Sequence, residues 1–281
     1  MSEGHVSEGP SPVIDPTGPV PAGDPSPDPA PVQLRKDAAR LARRVSQLEA
    51  TLTGVEQIRD TNARLLDRLR GELEVERARS QQLLLNVLPQ PIIDRLNAGE
   101  GLIADRYEDV AVVFSDFVGF TEISGRLPVA ELVSALNGLF SAFDAACAMF
   151  GVEKIKTIGD AYLAAAGLPG SNPQHLAAAA NLALAMRAAV EAAGPPWQVR
   201  IGIHAGPVVA GVIGTSKFVY DLWGDAVNVA SRLETSAPPG RIQVSAGVAA
   251  ALGESFQLDP RGTIELKGKG STEAWFLIGR R

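Results

Sequence analysis

One cysteine, Cys147, stands in 281 residues. It permits neither an intramolecular disulfide nor a cysteine-built zinc site, which fits a reducing compartment. Cys147 lies in an apolar helical pattern and reads as a small core residue. Long hydrophobic runs are lacking too: no window holds about 18 uninterrupted strongly apolar residues, so no membrane span is expected. The longest candidate, 175–193, is alanine-rich and broken by Asn181, Arg187 and Glu191, as in a packed amphipathic helix. Positive charge is in deficit, with a formal net charge of −6. There is thus no general electrostatic reason to bind nucleic acid or an anionic membrane, and an anionic substrate must be held by local groups or by metal. The first Lys or Arg is Arg35, so the basic-then-apolar order of a signal peptide is missing and cytoplasmic residence is the expectation.

What is present divides the chain into four parts. Residues 1–33 hold nine of the twenty prolines among Gly, Ser, Asp and Glu, a composition that predicts a disordered tail. From Leu34 a heptad runs to residue 88. Its a positions are Leu34, Leu41, Leu48, Val55, Asn62, Leu69, Glu76 and Leu83, and its d positions Ala38, Val45, Leu52, Arg59, Leu66, Leu73, Ser80 and Val87. Such a repeat predicts a parallel, dimeric coiled coil, with Asn62 fixing register. Pro89 and Pro91 end the rod, and 89–106 reads as a joint with a short helix around Ile92, Ile93 and Leu96.

The remaining 107–281 is large enough for a globular domain. A buried strand is expected over 109–117, a helix over 128–149, a hairpin around Gly159-Asp160, a helix over 174–193 and an alternating strand over 198–204. The order β-α-β-β-α-β predicts an α+β, ferredoxin-like domain, extended by 207–278.

Three clusters carry chemistry. Asp116 ends the first strand in VVFSDFVGFT, where a buried carboxylate needs a partner or a cation. The Gly119 turn and the helix start after it offer N–H groups to an anion. The hairpin EKIKTIGDAY presents Lys156 and Asp160, and the topology lets Asp160 converge on Asp116. Two converging carboxylates suit Mg²⁺ or Mn²⁺, a hydrogen-bonded structural pair being the alternative. In YDLWGDAVNVASRLE, Asp225 is placed as a helix N-cap, while Asn228 and Arg232, four apart, share a face suited either to a developing phosphate charge or simply to solvent.

The runs FSDFVGFT, KIKTIGDAYL, YDLWGDAVNVASRLE and IELKGKG, in that order over about 107–279, resemble the class III nucleotidyl cyclase catalytic domain. The resemblance implies that Asp116 and Asp160 bind two metal ions per site, with the carbonyl of Phe117 a further ligand. It implies Lys156 and Asp221 as the purine-selecting pair, of the type that favours ATP, and Asn228 and Arg232 as the transition-state pair. It also implies that Gly119, Phe120, Thr121 and Lys267 contact phosphates, whereas Lys217 reads as a basic surface residue. The implied activity is adenylyl cyclase: the ribose 3′-oxygen attacks the α-phosphorus, expelling pyrophosphate, and no motif side chain is required as general base. The implied assembly is a head-to-tail homodimer sharing residues across two sites. Guanylyl cyclase and a non-catalytic, nucleotide-sensing pseudo-cyclase are the alternatives, and LLLNVLPQPIIDRL resembles a signalling joint.

Overall fold

A computed structural model describes residues 30–281 except Ser171 and Thr215. The expected disordered tail falls mainly on 1–29, outside the described residues; 30–33, assigned to that tail from the sequence, are already helical. The chain divides into two units, 1–75 and 76–281. One helix, α1 (Ala30–Leu85), carries the heptads. In the single chain its heptad leucines are open to solvent: Leu41 and Leu48 are each 63% exposed.

The joint contains α2 (Gln90–Asn97), which begins after Pro89 and buries Ile92 and Ile93. Then follow β1 (Ala104–Phe117), α3 (Phe120–Arg126), α4 (Val129–Phe150), the hairpin β2 (Glu153–Ile158) and β3 (Ala161–Ala166), α5 (His175–Ala193) and β4 (Val199–Ile213). The remainder supplies β5 (Val219–Trp223), α6 (Asp225–Ser236), β6 (Ile242–Ser245), α7 (Ala246–Leu252), β7 (Phe256–Leu266) and β8 (Gly270–Arg280). The sheet order is β2-β3-β1-β4-β6-β8-β7, with β5 paired to β4. Its first four strands, 2-3-1-4, have the ferredoxin-like order, and β1 lies between β3 and β4 as expected.

Both sheet faces are covered, so the central strand reads as a continuous apolar run rather than an alternating one. Ala111 and Val113 of β1 face a core with Phe143, Leu182, Met186, Ile201 and Ile203, beneath α4 and α5. Val110 and Val112 face a second core, where Ile92 and Ile93 of α2 meet Tyr220, Leu222, Ala226 and Ala230. By length and apolar composition alone α4 and α5 are each long enough to cross a membrane, as core helices often are. Both pack on the sheet, burying Leu139 and Phe143 from α4 and Leu182 and Met186 from α5.

β1 starts five residues before its expected beginning, and β4 runs nine residues past its expected end. The pairing shifts between Tyr107↔Val208 and Val110↔Gly206, a bulge that sets Pro207 opposite two residues, Glu108 and Asp109. Proline is tolerated at a bulge, so β4 continues through it.

Candidate active site

The candidate metal residues stand at one end of β1 and at the β2–β3 turn. Ile158↔Ala161 pairing leaves only Gly159 and Asp160 in that turn. Gly159 adopts φ 65°, a left-handed conformation open to glycine at little cost, and this lets the turn close with Asp160 at its tip. Phe117 is locked by rings: Trp197 at 5.3 Å edge-on, Phe140 at 5.9 Å and Phe143 at 6.2 Å between centroids. Tyr162, at the start of β3, donates a 2.6 Å hydrogen bond to Asp144, which also pairs with Lys154. Both backbone segments carrying the aspartates are therefore pinned from beneath.

Burial pushes the Asp160 carboxyl up to about 6, and the neighbouring Asp116 carboxyl pushes the same way. Two such carboxylates fit a hard divalent cation, which would relieve their repulsion. Among the described residues no third Asp, Glu, His or Cys joins them as a metal cluster. Further ligands must come from backbone, water or substrate oxygens, as is usual for Mg²⁺.

Arg200, which sequence reasoning passed over, is the direct cross-strand partner of Asp116. Its Nη2 lies 3.1 Å from Asp116 Oδ2, and its Nε lies 3.1 Å from Glu234 Oε1. Glu234 is 4% exposed, and burial pushes its carboxyl up to about 7. The alternation of β4 carried the signal: with Val199, Ile201 and Ile203 in one core, Arg200 must face the other side.

Lys156 and Asp160 do not pair with each other. A bulge between Lys154↔Ala164 and Lys156↔Leu163 turns Lys156 to the sheet face opposite Lys154. There its Nζ meets Asp221 Oδ2 of β5 at 2.5 Å, and Asp221 is 15% exposed at the side chain. Asp221 Oδ1 accepts the Leu222 N–H at 2.9 Å, which fixes the carboxylate's plane. One chain thus brings Lys156 and Asp221 together across 65 residues of sequence.

The third cluster lies on α6. Its N-cap is Gly224, not Asp225; Asp225 opens the first turn and pairs with Lys269. That pairing occupies one lysine of the KGKG turn and leaves Lys267 exposed. Asn228 is exposed, while Arg232 Nη1 is buried without a hydrogen-bond partner among the described residues. A Cβ built on Gly268 would lie 3.8 Å from both terminal nitrogens of Arg232, so the turn bearing Lys267 covers the guanidinium. An orphaned buried guanidinium nitrogen is costly, and an anion would satisfy it. Gly119 precedes α3, whose first N–H groups, at Phe120 and Thr121, have no acceptor within the helix. Lys217 is exposed in the β4–β5 loop.

Residues 102–279 match the family described as the adenylate and guanylate cyclase catalytic domain. The chain belongs to that family. It is similar to an adenylate cyclase of Mycobacterium tuberculosis, 45% identical over 224 residues, covering 77% of this chain and 51% of that protein. It is also similar to human retinal guanylyl cyclase 1, 39% identical over 249 residues, covering 85% of this chain and 23% of that one. The chain therefore spans about half the length of its mycobacterial relative. A crystal structure of the guanylate cyclase domain from Catenaria anguillulae in complex with GTP superposes with a TM-score of 0.61 at 37% identity, covering 63% of this chain and all of that domain.

Proposed function

We propose that this cyclase is an adenylyl cyclase, converting ATP to 3′,5′-cyclic AMP and pyrophosphate. The observation that carries the choice of purine is the Lys156–Asp221 pair. Adenine offers an acceptor at N1 and donor N–H groups at N6, whereas guanine reverses these edges with N1–H and O6. An ammonium donates only and an ionised carboxylate accepts only, so the pair matches adenine and opposes guanine. The 45% identity to a mycobacterial adenylate cyclase agrees with this reading.

The roles of the other residues follow from charge and position. Asp116, Asp160 and the carbonyl of Phe117 would hold the divalent ions, Mg²⁺ or Mn²⁺. Bound there, such ions would acidify the ribose 3′-hydroxyl and screen the triphosphate. Arg232, with its unsatisfied Nη1, would stabilise charge as the α-phosphorus gains a fifth oxygen, and Asn228 would orient the ribose. Lys267 and the N–H groups at Gly119, Phe120 and Thr121 would receive the outgoing pyrophosphate. We further propose that two chains pair head to tail, each completing the other's site, with α1 joining them as a parallel coiled coil.

The purine assignment is tested by Lys156→Glu. Measured by initial rates, this substitution is expected to cut ATP turnover by about 100-fold and to shift the ATP/GTP ratio toward GTP. An unaltered ratio removes Lys156 from purine selection.

A further inference from the structure

Arg200 is shared between two carboxylates that belong to different parts of the fold. Register fixes one side, because Asp116 and Arg200 are directly opposed on β1 and β4 and so project from the same face. Close packing fixes the other. A Cβ on Gly202 would lie 2.3 Å from Ala230 O and Glu234 N, so α6 rests on bare β4 backbone there. That approach brings Glu234 to Arg200, two residues along the same strand face. Glu234 Oε2 takes the Thr235 hydroxyl at 3.0 Å, while Oε1 is buried and stands 3.1 Å from Arg200 Nε, off the line of a hydrogen bond. Arg200 Nη1 reaches Thr235 O at 3.4 Å, leaving only Nη2 for Asp116.

A guanidinium facing a lone carboxylate normally closes on it through two parallel hydrogen bonds. Here one edge is held by α6 and the contact to Asp116 is single. We infer that Glu234 is a positioning residue for the metal half-site: by holding part of Arg200, it keeps Arg200 from neutralising Asp116. Asp116, Asp160 and Glu234 against one arginine leave two uncompensated negative charges, the amount that one divalent cation cancels. Without Glu234, Arg200 closes on Asp116 and the site loses half of that excess. The inference rests on Asp116 and Asp160 being the metal residues, and it assigns a task to the glutamate that ends the α6 motif.

The test is Mn²⁺ binding to the full chain at pH 8 without nucleotide, followed by electron paramagnetic resonance. Glu234→Gln is expected to weaken Mn²⁺ binding roughly tenfold, the order of one charge acting on a divalent ion a few Å away at high effective dielectric. Arg200→Ala is expected to tighten it severalfold, and adding Glu234→Gln to Arg200→Ala to cost distinctly less than tenfold, because only the direct pull of the Glu234 charge is then lost. Unchanged binding in Glu234→Gln, or the same loss with and without Arg200, overturns the inference. Should Glu234→Gln fail to fold, Arg200→Ala decides alone: unchanged or weaker binding overturns it. Asp116→Ala separates the premise, because equal Mn²⁺ binding by that variant and the parent protein would mean that the metal reading itself has failed.

Discussion

Glu234 is the least accommodated charge near the candidate site, since its burial outweighs the pull of Arg200. Its carboxyl is raised from the ordinary value to about 7, so its contribution to stability is full at low pH and is lost as pH rises through 7. The groups around it are Arg200, Asp116, Asp160 and Thr235. Glu234→Gln removes that loss. Thermal melts should therefore show the variant gaining on the parent protein by a few degrees between pH 5 and pH 8; a gap that does not change with pH contradicts the burial argument. Residue by residue, the sequence was most legible where a motif fixes a type at a spacing, as with Asp116, Lys156, Asp221 and Arg232. It was least legible where meaning depends on a neighbour across the sheet. Arg200 looks like a solvated strand residue until register sets it against Asp116. Asp225 looks like a helix cap until the chain before it is seen to place Gly224 there.

Element by element, the candidate site depends on how closely α6 lies on β4. Gly202→Ala places a methyl carbon at 2.3 Å from Ala230 O and Glu234 N, both main-chain atoms that cannot rotate away. The helix must lift, at a cost of about 3 kcal/mol for overpacking. In a domain of this size that lowers the melting temperature by roughly 5–10 °C. Gly125→Ala, at a helix position with open space around the new carbon, serves as the control and should be neutral or slightly stabilising. Equal melting of the two variants would remove the close approach from the account. The principal helices and the hairpin were readable from periodicity and turn residues. The true reach of β1 and β4 was not, because Pro207 reads as a stop until a bulge in the opposite strand makes it harmless.

At the scale of the whole molecule, one chain carries the side chains of the proposed site: Asp116 and Asp160 at the end of β1 and the β2–β3 turn, Lys156 and Asp221 paired between β2 and β5, and Asn228 and Arg232 on α6. If two copies pair head to tail, an Asp116→Ala chain mixed with an Asn228→Ala chain forms dimers with one wholly intact site and one doubly damaged site. After subunit exchange, with each parent variant inactive, about a quarter of normal activity should return. A mixed dimer shown by native mass spectrometry to be present yet inactive would refute that arrangement. The 3.5-residue repeat of leucines on α1 was legible from spacing alone, because it needs no tertiary context, and those leucines are exposed in the single chain. The central claim is the reaction itself. The purified 281-residue chain given Mn²⁺ and equal ATP or GTP, with products separated by chromatography, should yield cyclic AMP and pyrophosphate in equal amounts and far less cyclic GMP. Preferential formation of cyclic GMP, or no cyclic product from either nucleotide at saturation, would contradict it.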